Sequence, residues 1–312
     1  MRVAAIDCGT NSIRLLVADI DGDTAGGRLT DVSRRMEIVR LGEGVDRTGR
    51  LAPAAIERTR KALADYAAEL RDAGAERVRM VATSASRDAS NAGDFRAMVV
   101  ETLGVEPEVI SGDEEARLSF TGAVRGLDAP GPYLVVDIGG GSTEFVTGSR
   151  RVEHAISVDI GCVRMTERHL PDDPPGASEV AAARADVTAS VDRALTAVHA
   201  KPGDGVERTL VGLAGSVTTV AALALGLDAY EPARIHQARI DRATVERVTT
   251  ELLVATRAER LAMPVMHPGR ADVIAAGALI LQVIMEQVDA PAVIASEHDI
   301  LDGIAYSAAG TA

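Results

Sequence analysis

Apolar residues fall in two kinds of run along the chain. Val3-Ala4-Ala5-Ile6 and Leu134-Val135-Val136 are short and bounded by polar turns, the pattern of buried strands. Pro53 to Ala73 instead places Ile56, Leu63, Tyr66, Ala67 and Leu70 on one helical face, with Pro53 in the first turn and Gly74 as the stop. On the same grounds strands are predicted near Leu29–Leu41, Val78–Thr83, Val105–Ile110, Leu134–Asp137, Thr143–Gly148, Val152–Val158, Thr209–Leu213 and Ala292–Ala295. Helices are predicted over Phe95–Leu103, from Ser111 to about Arg125, on either side of the Pro171–Gly176 loop, after Gly215, and over Ala243–Thr256, Arg270–Val288 and Ile300–Ala308. Strands alternating with helices indicate α/β sheets covered on both faces.

The first strand and its turn recur. Val3 to Leu16 lies over Tyr133 to Val146 without a gap, so that Asp7 falls on Asp137, Gly9 on Gly139, Ser12 on Ser142 and Arg14 on Glu144. Each copy reads as strand, turn and returning strand, and each opens one half of the chain. A duplicated domain follows, with expected boundaries at 1–127 and 128–312. Asp128-Ala129-Pro130-Gly131-Pro132 is the linker, and the closing helix near 299–309 is able to pack back toward the first domain.

Composition removes several functions. Lys plus Arg number 33 against 46 Asp plus Glu, a formal charge of −13, which argues against a broad nucleic-acid face. The lysines are Lys61, before Ala62, and Lys201, before Pro202, so a Walker-type Gly-Lys-Ser/Thr loop is excluded. The apolar run Val273–Met285 is interrupted by Gly277 and Gln282 and falls short of the roughly 20 residues that span a bilayer, so no membrane partner is expected. Two cysteines, Cys8 and Cys162, and no apolar leader fit a reduced, cytoplasmic setting, and the scattered histidines give no zinc pattern. An anionic ligand must then be held by a few arginines, backbone amides or a metal.

Asp137-Ile138-Gly139-Gly140-Gly141-Ser142-Thr143-Glu144 is the strongest candidate. Three glycines free to take positive φ would let successive amides converge on an oxyanion, with the Ser142 and Thr143 hydroxyls beside them. Asp137 and Glu144 flank the loop as oxygen ligands of the kind Mg²⁺ takes. Thr10, Asn11 and Ser12 form the tip of the weaker copy, followed by Arg14, which reads equally as an anion contact or a salt bridge. Arg87, after Thr83-Ser84-Ala85-Ser86, could clamp a phosphate or pair with Asp88 or Asp94. Ser111-Gly112-Asp113-Glu114-Glu115 combines a capping box with acids at a helix start, one of them a candidate to activate water. Gly215-Ser216 forms a strand-to-helix turn, and Arg270 opens the long late helix, pointing toward the same ligand.

The ordered set Asp7 to Ser12, Ala82 to Ala89, Ile110 to Ala116, Asp137 to Glu144, Gly215 to Thr219 and Arg270 to Ile274 resembles the exopolyphosphatase and guanosine pentaphosphate phosphohydrolase family, over nearly the whole chain. The resemblance implies an actin-like, sugar-kinase-like fold of two ribonuclease-H-like halves with the phosphate site in the cleft between them. It implies release of the terminal phosphate of inorganic polyphosphate, or of the γ-phosphate of guanosine pentaphosphate, with Mg²⁺ or Mn²⁺. It assigns the catalytic carboxylate to Glu115 and the metal-side acids to Asp137 and Glu144, with Asp7 as a further candidate. Long family members carry extra helical domains, and this sequence stops at Ala312, so short polyphosphates and guanosine pentaphosphate are the expected substrates. A homodimer is expected, and a non-catalytic sensor of guanosine tetraphosphate or polyphosphate is the alternative of another class.

Overall fold

The computed structural model describes residues 1–21 and 27–310. They divide into two compact units, Met1–Gly122 with Asp299–Ala312, and Ala123–His298.

The first unit begins with β1 (Arg2–Cys8), β2 (Ser12–Asp21) and β3 (Arg28–Ile38), an antiparallel meander. There follow α1 (Val45–Thr48), α2 (Pro53–Ala73), β4 (Arg77–Ala82), α3 (Ser84–Asp88), α4 (Ala92–Leu103), β5 (Glu108–Val109) and α5 (Gly112–Val124). The sheet order is β3-β2-β1-β4-β5, with β4 and β5 parallel to β1. Strand period 2 sorts β1 between two cores. Ala4, Ile6 and Cys8 join Leu63, Tyr66 and Phe95 under α2 and α4, while Val3 and Ala5 face the opposite side. Helix α2 ends where Gly74, at φ 65°, turns its amide back to Leu70 O and Arg71 O.

The second unit holds β6 (Tyr133–Ile138), β7 (Thr143–Gly148), β8 (Val152–Val158), α6 (Cys162–His169), α7 (Ala177–Ala197), β9 (Thr209–Leu213), α8 (Ala214–Ala224), α9 (Pro232–Ile235), β10 (Arg239–Asp241), α10 (Arg242–Val254), α11 (Arg257–Leu261), α12 (Ile274–Gln287) and β11 (Ala292–Ala295). Its sheet runs β10-β11-β9-β6-β7-β8. Counted from its own first strand this repeats the order of the first unit, with β10 added antiparallel at the edge. Both units are therefore copies of one α/β layered topology, as the repeat predicts.

The last helix, α13 (Ile300–Ala309), belongs to the first unit. The reason is its apolar face. Ile300, Leu301, Ile304, Ala305 and Tyr306 bury against Val3, Ala5, Leu16 and Ala18 on the side of the sheet that α2 and α4 leave open. Backbone meets backbone where α13 crosses α5. A Cβ on Gly122 would sit 1.8 Å from Asp299 O, and one on Gly303 would sit 2.0 Å from Leu118 O. Among the described residues no helix is long and apolar enough to cross a membrane.

Candidate active site

The two hairpin tips are built alike. Gly9 N–H donates to Ser12 O at 2.9 Å, and Gly139 N–H donates to Ser142 O at 3.0 Å. The residues flanking them differ. Register sets Asp7 opposite Arg14 across β1 and β2, and Asp137 opposite Glu144 across β6 and β7. All four lie on one sheet face in their unit, since directly opposed residues share a face.

In the first unit Arg14 is held as an ion pair. Its Nε and Nη2 both donate to Asp7 Oδ2, at 3.0 and 2.6 Å, and its Nη1 donates to Asp299 Oδ2. Burial raises the Asp7 pKa above the ordinary carboxylate range, against the pull of Arg14. Burial works the same way on Asp299, but there Arg14 and the Leu301 amide outweigh it and hold the pKa low. Thr10 Oγ1 and Ser84 Oγ share a 2.8 Å hydrogen bond, and the Thr10 and Asn11 carbonyls accept the amides of Gly42, Val39 and Arg40, so this tip is fastened to the loop after β3.

The three acids at the start of α5 separate by partner. Asp113 pairs with Arg117 at the surface, and Glu114 with Arg79. Glu115 is buried and accepts from Arg87 Nη1 at 3.1 Å, while the same nitrogen reaches Ile110 O at 3.0 Å. Arg87 thus pairs with Glu115. The expected capping box is half formed: Ser111 Oγ accepts the Glu114 amide, whereas the Glu114 carboxylate goes to Arg79.

In the second unit the glycine loop is backed by the start of α6. Gly139 O accepts the Cys162 amide, Gly140 O accepts those of Val163 and Arg164, and Gly141 O accepts Arg164 Nε. Gly139 does not use the positive φ open to a glycine. Close approach is what the loop demands, because a Cβ on Gly161 would lie 2.4 Å from Gly140 O. Ser142 is buried beside it. The Thr143 hydroxyl donates to Ile160 O at 2.6 Å, and Ser157 Oγ donates to Glu144 Oε1 at 2.7 Å.

Arg270 does not open the late helix as expected. Helix α12 starts at Ile274, and Arg270 lies in the preceding turn, where its guanidinium is held against the first turns of α8 by donating to Gly215 O and Thr219 Oγ1, both at 3.2 Å. Gly215 is needed for this, since a Cβ there would meet Arg270 Cζ at 2.3 Å. Ser216 packs in the same way against Gly277. Ala214, where α8 begins, takes φ 67°. Cys8 and Cys162 are buried, and burial raises both thiol pKa values, so neither is a nucleophile.

These groups suit a hard cation. Asp137 and Glu144 offer oxygen donors from adjacent strands, and among the described residues no three His, Cys, Asp or Glu side chains form a cage of their own. Mg²⁺ takes one or two carboxylates and completes its shell with water and phosphate, so the donor set fits. Asp299 and Ser157 were not foreseen from sequence. Asp299 leaves a local trace as the capping acid of α13, but its pairing with Arg14 spans 285 residues.

Residues 16–312 match the family model described as the Ppx/GppA phosphatase family. The chain is 52% identical to "Exopolyphosphatase 2" of Mycobacterium tuberculosis, over 99% of each protein. It is 32% identical to the "Bifunctional 3-dehydroquinate synthase/phosphatase" of Fusobacterium nucleatum, covering 96% of this chain and 45% of that protein. Among solved structures, one described as an exopolyphosphatase-like protein superposes with a TM-score of 0.91 at 42% identity, covering 97% of each chain. The Aquifex aeolicus Ppx/GppA family member superposes with a TM-score of 0.81 at 33% identity, covering 98% of this chain and 97% of that one.

Proposed function

Because the chain belongs to the Ppx/GppA phosphatase family and is a hydrolase of phosphoanhydride bonds, we propose that it releases the terminal orthophosphate of linear inorganic polyphosphate, acting best on short chains. The likeness to an exopolyphosphatase over 99% of both proteins carries this reading, and the buried pairing of Glu115 with Arg87 gives it a chemical centre.

In the proposed reaction Glu115 orients a water and takes its proton as the water attacks the terminal phosphorus in line. The bond to the bridging oxygen breaks, and the shortened polyphosphate leaves. Arg87 holds the carboxylate through Oε2. A divalent cation bound at Asp137 and Glu144 would supply charge neutralisation at the phosphate oxygens. Within the second unit phosphate is positioned by the Gly139–Ser142 tip, whose hydroxyl and amides act as donors. Gly215 and Ser216 add the start of α8, with Arg270 fixing that turn. Arg14 is assigned to Asp7 rather than to substrate, because it already serves two carboxylates.

Phosphate release from polyphosphates of defined length, run with Mg²⁺ beside guanosine pentaphosphate, tests this reading. Release from short polyphosphate is expected. Release only from the nucleotide would reassign the substrate, and binding of either without release would make the protein a sensor.

A further inference from the structure

We infer that Asp299 is a positioning residue for Asp7, acting through Arg14 so that one Asp7 oxygen stays open to a divalent cation or its water. The inference rests on the proposed cation-dependent chemistry, and its test is chosen to stand apart from turnover.

An arginine directly opposite an aspartate ordinarily forks over both carboxylate oxygens. Here both near nitrogens of Arg14 fall on Asp7 Oδ2, at 3.0 and 2.6 Å. The third nitrogen explains why. Nη1 is engaged by Asp299 Oδ2, so the guanidinium is not at liberty to roll across Asp7. Asp299 is itself fixed from two sides. Its Oδ1 accepts the Leu301 amide at 2.9 Å, and its own amide donates to Asp302 Oδ2 at 3.0 Å. Asp302 is anchored in turn by Arg34 Nη2 at 2.6 Å. The chain of contacts runs from the start of α13 to the hairpin tip.

Its product is an unusual atom. Asp7 Oδ1 is buried and has no hydrogen-bond partner. An acceptor left in that state is costly unless a ligand takes it. A capping role for Asp299 alone would account for the Leu301 bond but not for the skewed Arg14 geometry. Cation binding at Asp7 accounts for both, because a fork across the two oxygens would block it.

Asp299→Asn keeps the capping acceptor and removes the charge that draws Arg14. Titration with Mn²⁺ alone, followed by loss of the free-ion electron paramagnetic resonance signal, should show binding at least 10-fold weaker than in the parent protein, with thermal unfolding little changed. Asp7→Asn should weaken Mn²⁺ binding similarly, and combining the two should add little, as expected for residues acting through one contact. Ile304→Ala, in the same helix but outside this chain of contacts, should lower the unfolding temperature and leave Mn²⁺ affinity within about 2-fold. Should Asp299→Asn not fold, Arg14→Lys, which keeps the charge without the fork, should give the same weakening. Unchanged Mn²⁺ affinity in Asp299→Asn, additive losses in the double variant, an equal loss in Ile304→Ala, or no Mn²⁺ binding by the parent protein would each overturn the inference. A parent protein that releases no phosphate but shows the expected Mn²⁺ pattern would refute the proposed substrate alone.

Discussion

Glu144 stands opposite Asp137 across β6 and β7, at the register position where Arg14 faces Asp7 across β1 and β2. One duplicated hairpin thus carries an ion pair in the first unit and two carboxylates in the second. Like charges directly opposed are unfavourable in a sheet, and a bound cation reverses the sign of that interaction.

Mg²⁺ should therefore stabilise the protein through these acids. Thermal unfolding of the parent protein should shift upward on adding Mg²⁺, as linkage requires of anything that binds the native state. In Glu144→Gln the shift should shrink, and without Mg²⁺ this variant should be at least as stable as the parent. An equal Mg²⁺ shift in both proteins would contradict the assignment.

Asp7 and Asp299 share Arg14 and should titrate on opposite sides of the ordinary carboxylate value, Asp7 above it and Asp299 below it. On acidification Asp7 takes its proton first. Stability from ionised Asp299 is fully present above its unfolded pKa and is lost as pH falls through its lowered folded value. Asp7 acts in the other sense: its ionisation costs stability as pH rises from its unfolded value through its raised folded one. Carboxyl ¹³C titration by NMR checks the order, and the reverse order would show that Arg14 favours Asp7.

Ala214 is held at φ 67°, a region that costs a residue with a Cβ about 1–2 kcal/mol. Ala214→Gly should recover part of this, offset by the extra chain entropy of glycine, for a net gain of about 0.5–1 kcal/mol in denaturant unfolding. A loss of stability would contradict the strain.

Gly303→Ala should be strongly destabilising, by about 2 kcal/mol or more, because its Cβ would lie 2.0 Å from Leu118 O and push α13 from α5. Chemical denaturation measures this directly. A near-neutral effect would mean that the two helices separate easily.

The duplicated hairpin was legible in the sequence because strand, turn and Gly/Ser spacing are local, and the structure repeats even the Gly-to-Ser hydrogen bond. The closing helix was read as able to pack back toward the first domain, but the partners of its apolar face were not legible, because they lie near the other end of the chain. Strand β10 has three residues and no alternation long enough to read. Arg270 was placed in a helix because the apolar run behind it continues smoothly, while its own bonds to α8 depend on a contact 55 residues away. Glu115 could be singled out from Asp113 and Glu114 only by resemblance. Burial and Arg87 now distinguish it physically.

Glu115→Gln tests the central claim most directly. Initial rates of orthophosphate release from a short polyphosphate with saturating Mg²⁺ should fall about 10²-fold or more relative to the parent protein, with unfolding unchanged. Near-parental release by a folded Glu115→Gln protein would contradict the assignment of the attacking water to this carboxylate.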